Sequence, residues 1–326
     1  MNKHLFLFIC ILLLNQSKSQ DSQFNNVNHS LIYLNPSFAG SEEYIRVQVD
    51  YRNQWPNLSG NYRPCFFSID GFNKPIKGGI ALSVINEDMG RATLNRKGIA
   101  LSYSQYIKLT ELITLITSFQ GTLNRSALDR NRLNFNDMID PRYGIYWPPL
   151  NSPTNDVPVP KIDYADVATG IILKYANYAS IGASFSNLLE PNISHIGSYH
   201  LPVRTNLHAS CKFIYNPRST ADVMLYSTFQ NNYYNIRMNV ISQMAYGITL
   251  GIGYGVNNLL WVAEGSNNRD LHNLRGFIGY TRSRFNILYS YDQYVIKNAA
   301  GSHELSLQVL FKKKASSKPS SIEDLK

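Results

Sequence analysis

Between Tyr44 and Phe311 the chain alternates apolar residues with polar or small ones at a period of two. The segments are about ten residues long, the length of strands that cross a membrane as a tilted barrel. Ile99, Leu101, Tyr103, Ile107 and Leu109 share one face, and Gly98, Ala100, Ser102, Ser104 and Lys108 share the other. The split recurs in Thr169, Ile171 and Leu173 against Ala168, Gly170, Ile172 and Lys174, and in Ile181, Ala183 and Phe185 against Ser180, Gly182 and Ser184. It returns where Ile248, Leu250, Ile252 and Tyr254 alternate with Gly247, Thr249, Gly251, Gly253 and Gly255. No sustained helical period and no Pro/Ser-rich linker interrupts 44–311, which is read as one domain.

A soluble β-sandwich alternates in the same way, with its apolar face in the core. Its second face normally carries charges and threonines for solvation, whereas here that face is repeatedly Gly, Ala and Ser. Glycine inside a strand is usually explained by something that approaches the backbone closely. Gly98, Ala100, Ser102, Gly170, Gly182, Gly251, Gly253 and Gly255 are therefore read as the lumen face of a barrel, with room for loops, long side chains or a guest polypeptide. The fold class expected is all-β, a transmembrane antiparallel β-barrel of about 14 strands, with 259–264 ambiguous between strand and loop.

Connection lengths fit that expectation. Tight turns fall at 108–111, 175–178, 216–219, 242–245 and 282–284; longer loops are expected at 55–63, 87–96, 124–163 and 187–203, and the short 230–232 breaks the alternation. The last strand, 303–311, alternates through Leu305, Leu307 and Val309 to a terminal Phe311. The 22 tyrosines suit interfacial girdles or a lined lumen.

The ends set the compartment. Lys3 and His4 precede an apolar run from Leu5 to Leu14, closed by Ser17, Lys18 and Ser19. That run is about half the ~20 residues of a membrane helix, so 1–19 reads as a signal peptide cleaved before Gln20. A lipoprotein signal fits poorly, because Cys10 lies mid-run behind Ile9. The net charge of +9 falls to +7 once Lys3 and Lys18 leave with the leader. An exported basic chain meets anionic headgroups, cell-wall polymer or acidic partners, and no nucleic acid is expected. Part of the excess lies in 312–326, a Lys/Ser-rich tail with Pro319 that is expected to be disordered. Cys65 and Cys211 remain in the mature chain, and the sequence leaves open whether they pair.

Several segments resemble one family. Leu34-Asn35-Pro36-Ser37-Phe38-Ala39-Gly40 followed by Tyr51-Arg52-Asn53-Gln54-Trp55-Pro56 is similar to the opening of the PorP/SprF family of type IX secretion outer-membrane proteins. The likeness continues through 78–84 with its Gly79, through Asn86-Glu87-Asp88 and Gly90, and through 139–144. It closes with Tyr289-Ser290-Tyr291-Asp292 and with Gly301-Ser302-His303-Glu304-Leu305-Ser306-Leu307; 195–246 shows little of the motif. The resemblance implies a 14-stranded outer-membrane barrel that works beside the type IX secretion and gliding apparatus. Its implied partners are a secreted cargo or surface adhesin, a periplasmic cell-wall-binding lipoprotein, ring components of the machine and outer-membrane lipid. Both termini would be periplasmic, with 20–43 as a periplasmic segment or plug.

Individual residues support several readings. Arg52, Gln54 and Trp55 are placed at the extracellular end of the first strand, to grip cargo or to tie their own loop to the rim. Asn35, Pro36 and Gly40 belong to a stretch that either threads into the lumen or merely starts the barrel. His303 and Glu304 are adjacent on a strand and point to opposite faces, which suits a structural role at closure. Asp129, Asp137 and Asp140 carry no fixed spacing that would make them a catalytic carboxylate pair. The glycines at 251, 253 and 255 lack the spacing and following helix of a phosphate loop. No catalytic group, metal or cofactor is assigned. An interaction protein is the leading reading; a diffusion channel or hydrophobic-solute transporter, and then an outer-membrane hydrolase, are the alternatives.

Overall fold

A computed structural model describes residues 23–42, 44–58, 60–90, 93–129, 132, 139–140, 144–145, 161–195, 197–216, 219–258, 271–295 and 301–311. The leader over 1–19, Asp137, the motif residues 141–143, the ambiguous 259–264 and the tail over 312–326 lie outside the described residues.

Fourteen strands close into one antiparallel barrel. They are β1 (Ile45–Gln54), β2 (Tyr62–Asn73), β3 (Gly78–Met89), β4 (Leu94–Lys108), β5 (Ile113–Leu128), β8 (Ile162–Tyr175), β9 (Ala179–Ser186), β10 (Arg204–Asn216), β11 (Ser219–Gln230), β12 (Tyr233–Gln243), β13 (Ile248–Asn257), β14 (Leu271–Arg282), β15 (Phe285–Tyr294) and β16 (Ser302–Phe311). A separate two-stranded sheet pairs β6 (Ile139–Asp140) with β7 (Gly144–Ile145). Each barrel strand pairs with its predecessor, and β1 closes on β16 from Ile45 opposite Phe311 to Gln54 opposite Ser302. Closure leaves no free edge, so backbone polar groups are paired without solvent, the condition for a sheet in hydrocarbon.

Alternation assigns the two faces. Residues of the apolar set stay exposed all round the cylinder, with Leu101 at 61%, Ile181 at 60% and Ile252 at 72%. A continuous apolar exterior of this kind suits lipid rather than water. Much of the opposite set, including Gly98, Ala100, Ser102, Gly170, Gly253 and Gly255, is buried on the inward face, whereas Lys108 at the end of its strand is exposed. The inward face is not only small, however: Arg46, Asp50, Arg52, Glu87, Arg96, Arg204, Arg237, Arg275, Asp292 and Glu304 also point inward and are buried.

Those inward charges explain two corrected loops. Glu87 and Arg96 were expected to bound a long connection, yet they stand opposite each other in β3 and β4, and the connection is only 90–93. Arg96 donates to the Glu87 carboxylate, which also accepts from the Tyr62 hydroxyl at 2.6 Å. Asn124 likewise belongs to β5, which runs on to Leu128, so the longest connection is 129–161. Polar residues that suggest loop solvation are here neighbours across the lumen wall. All short connections except 90–93 and 231–232 gather at one end with both ends of the barrel chain, while 55–61, 129–161 and 187–203 lie at the other. The two-residue turn at 231–232 is as short as the sequence indicated, with Asn231 at φ +54°.

Cys65 and Cys211 are both free. They lie on β2 and β10, with five strands between them by the shorter way round, so they cannot bond to one another.

Candidate functional site

Residues 23–40 run inside the cylinder and fold back on themselves twice. Gln23 accepts from Arg237 Nη2 at 2.9 Å near the long-loop end, and His29 meets Asn286 at 3.2 Å near the tight-turn end. The helical turn Leu31–Leu34 carries the chain back up, where Tyr33 accepts from Arg204 at 2.9 Å. The 3₁₀ turn Pro36–Phe38 brings it down again, until Gly40 lies against Gly79 at the start of β3. Apolar side chains of the segment form the centre of the molecule: Phe24, Ile32 and Ala39 pack on Phe66 and Ala81, and Val27 and Leu34 on Met224 and Tyr226. Burying each large side chain of this kind contributes about 2 kcal/mol.

The polar anchor of the segment is a carboxylate cluster built on barrel closure. Arg52 of β1 stands directly opposite Glu304 of β16, and Asp292 of β15 is next to them on the same face. Arg52 Nη2 donates to Asp292 at 3.2 and 3.3 Å, and Nη1 reaches Glu304 at 3.5 Å. Glu304 then accepts the backbone N–H groups of Asn25 and Asn26 at 2.7 and 2.8 Å, and the Asn25 side chain donates to Asp292. All three charged side chains are fully buried, so Arg52 faces the lumen rather than an extracellular loop. A second fork holds the other end: Arg46 donates to both oxygens of Asp70 at 2.8 and 3.0 Å, and Asp70 accepts from the Gly40 N–H at 2.8 Å.

Close approach between the segment and the wall accounts for three glycines, Gly170, Gly79 and Gly40. Asn35 caps the 3₁₀ turn by accepting from Ser37 N at 2.9 Å, with Pro36 at its first position. Its amide donates to the Ala183 carbonyl at 3.0 Å, and its oxygen lies where a Cβ of Gly170 would be. At Gly79 a Cβ would overlap the Ala39 carbonyl, which accepts from Ser104 at 2.6 Å and Tyr106 at 2.9 Å. Gly40 has φ +67° and would meet Gly79 with any side chain. The other lumen glycines make room for the wall itself: Gly98 for Asn124, Gly182 for His208, Gly251 for Ile241, Gly253 for Asn239, and Gly255 for Asn273 and Arg237. Ala100 and Ser102 are buried on the same face.

The remaining sequence candidates do not join this site. Gln54 is half-buried at the lumen rim, and Trp55, at φ +56°, starts the 55–61 connection by accepting from Leu58 N at 3.0 Å. Gly90, at φ +61°, turns the 90–93 connection. Asp88 faces outward and accepts from Asn95 at 2.6 Å. Tyr291 and His303 also face outward, with ring centroids 5.1 Å apart, while Glu304 faces inward. Asp129 is paired with Arg132 at 3.1 Å. Asn25, Asn26, Arg46, Asp70 and Arg237 were not singled out in the sequence; for the strand residues among them, the period-two parity that placed the glycines was the available signal.

The segment leaves part of the lumen unfilled. A cavity of about 130 Å³ lies toward the long-loop end, between Ile32 and Tyr33 of the segment and a wall that includes Glu87, Arg96, Gly98, Ala100, Thr122, Asn124 and Asp166.

A closed cylinder with an apolar exterior and a polar, occupied lumen defines an outer-membrane β-barrel. Solved barrels share the fold: the CymD monoaromatic hydrocarbon channel, with a TM-score of 0.53 at 11% identity over 88% of this chain and 94% of that one. A Pseudomonas aeruginosa FadL homologue gives 0.50 at 11% identity, and the Ralstonia pickettii toluene transporter TbuX 0.50 at 9%, each over 87% of this chain and 94% of that one. The chain belongs to the type IX secretion system membrane protein PorP/SprF family, whose sequence model matches residues 16–309. A search of curated protein sequences finds no match.

Three outcomes follow from this geometry. Arg52→Ala strands Asp292 and Glu304 without their cation, and breaking such a buried pair costs about 3–5 kcal/mol; the heat-modifiable folded band in detergent should melt at a lower temperature. Gly79→Ala should cost about 1–3 kcal/mol by overpacking and expose 23–40 to protease, whereas Gly276→Ala, with nothing within 4 Å, should be silent. Burial, and secondarily Arg46, lower the His29 pKa from 6.5 to about 4, so the docked segment holds a neutral imidazole. Docking is then fully favoured above about 6.5 and weakens as pH falls toward 4, where the released segment takes the proton. Protease access to 23–40 across that window should rise, and His29→Gln should flatten the rise.

Proposed function

We propose that this protein is a barrel component of, or accessory to, the type IX secretion and gliding machinery that holds or helps export a cell-surface polypeptide such as an adhesin. One observation carries the reading: the lumen wall already binds polypeptide through its backbone. Glu304 takes two N–H groups, Asn206 and Ser184 both donate to the Leu34 carbonyl, at 3.0 and 2.6 Å, and Asn239 donates to the Asn25 carbonyl at 3.2 Å. Backbone-directed contacts are tolerant of side-chain sequence, which suits a wall that exchanges one stretch of chain for another. In this reading 23–40 is a resident plug that a cargo stretch replaces, and the long-loop end faces outward. The tight-turn end, with both termini, faces the periplasm and meets the cell-wall-binding lipoprotein and ring components.

A diffusion channel or hydrophobic-solute transporter is the second reading, favoured by the fold shared with the CymD channel and the TbuX transporter. Photo-cross-linking from Ala100 and Thr122, which both line the cavity, in secreting cells separates the two. An adduct with a secreted polypeptide, together with co-purified secretion components in mild detergent, is expected. Absence of any adduct, with steady conductance in planar bilayers and a solute-uptake defect on deletion, would reject the export reading.

A further inference from the structure

The tight-turn end carries a feature that neither the lumen nor the export reading uses. Arg282 ends β14 on the outward, lipid-facing parity, and Arg284 sits in the two-residue turn to β15. With Tyr280, Ser283 and Phe285 they line a shallow, open depression on the outer wall. Both arginines are exposed, and neither has a carboxylate within 4.0 Å among the described residues. The turn is held in place, because Leu310 N donates to the Arg284 carbonyl at 2.8 Å.

The neighbours fix the kind of occupant. Tyr280, Phe285 and Phe311 are exposed on the outer wall at the level where β14, β15 and β16 begin or end. An aromatic belt of this kind marks the boundary between hydrocarbon and headgroups. The two guanidinium groups therefore lie at headgroup depth, where the anion at hand is a phosphate diester. Guanidinium binds phosphate through paired, charge-assisted hydrogen bonds, and the aromatic rings offer a surface for the glycerol and the first acyl carbons. An acidic protein would match the charge but would leave this apolar flank uncovered.

We propose that Arg282 and Arg284 hold the phosphate of one anionic phospholipid, whose acyl chains lie against Tyr280, Phe285 and Phe311. The site is on the outer wall, so it stands independently of what passes through the lumen.

The test uses the mature full-length protein in detergent micelles, with retained lipid read by native mass spectrometry. Phosphatidylglycerol should be retained roughly tenfold better than phosphatidylcholine, a difference of about 1.4 kcal/mol. Arg282→Gln/Arg284→Gln should abolish that preference, and each single variant should reduce it. Lys74→Gln/Lys77→Gln removes the same charge from another turn at this end and should leave it largely intact. The melting of the folded band, unchanged in all variants, would certify that they assemble. Equal loss in the lysine variant, full retention in the arginine variant, displacement by inorganic phosphate alone, or a preference for lipid A over phosphatidylglycerol would each overturn the proposal.

Discussion

Everything in this molecule depends on the pairing of its first and last strands. Ten consecutive residue pairs, from Ile45 with Phe311 to Gln54 with Ser302, convert an open sheet into a cylinder. In hydrocarbon an open edge would leave backbone groups unpaired at a cost of several kcal/mol each, so closure is a condition of existing in the membrane. It also fixes parity everywhere. A one-residue slip of β16 would turn Glu304 away from Arg52 and toward lipid, and Leu305, Leu307 and Val309 toward the lumen.

Fixed parity creates the next problem, a polar interior that must be satisfied. Several inward charges are paired with one another or with the chain's own amino-terminal segment, as in Arg52 with Asp292 and Glu304, Arg46 with Asp70, and Arg237 with Gln23 and Asn25, while Asp50 and Arg275 bond to wall groups. Glu304 shows how completely the two functions are merged. It faces Arg52 across the closing seam and simultaneously accepts two backbone N–H groups from Asn25 and Asn26. The seam of the barrel and the anchor of the segment are thus the same side chains, and a change that loosens one loosens the other. At the opposite end Asp70 repeats the arrangement, shared between Arg46 and the Gly40 N–H.

The fold was legible because membrane strands are a local pattern. Two faces, short turns and an aromatic last residue are written in neighbouring positions, and the alternation from Ile248 to Gly255 is that of β13. The site was legible only in fragments. Asn35, Gly40, Arg52, Gly79, Gly170, Asp292 and Glu304 were all marked, but as separate motifs, and nothing in the sequence says that Asn35 sits on Gly170 or that Arg52 faces Glu304. Those are long-range contacts set by register. Charges misled where they are inward: Glu87 and Arg96 look like loop solvation because a lone sequence does not show that each is the other's partner. Glycine was informative in the reverse way, since its lack of a Cβ pointed to close approach, although at Gly182 and Gly253 the approaching atoms belong to the wall and not to a guest.

A lumen that already contains its own polypeptide sets a quantitative condition on the proposed exchange. A tethered segment competes at an effective concentration of about millimolar for a short linker, about a thousandfold above a cargo at about micromolar and so favoured by about 4 kcal/mol. A cargo stretch offering the same contacts would lose to the resident segment at ordinary concentrations. It must therefore gain something the segment lacks, or arrive while the segment is weakened. The cavity beside Gly98 and Ala100 is contact area of the first kind, lined by the Glu87 and Arg96 side chains as well as by amides and hydroxyls like those that grip 23–40 elsewhere. A cargo that filled it while displacing only the adjoining turn, Leu31–Leu34, would gain new contacts before the Glu304 anchor had to break. Under the proposed exchange, steps that begin at the cavity and end at the seam would break the Glu304 anchor last.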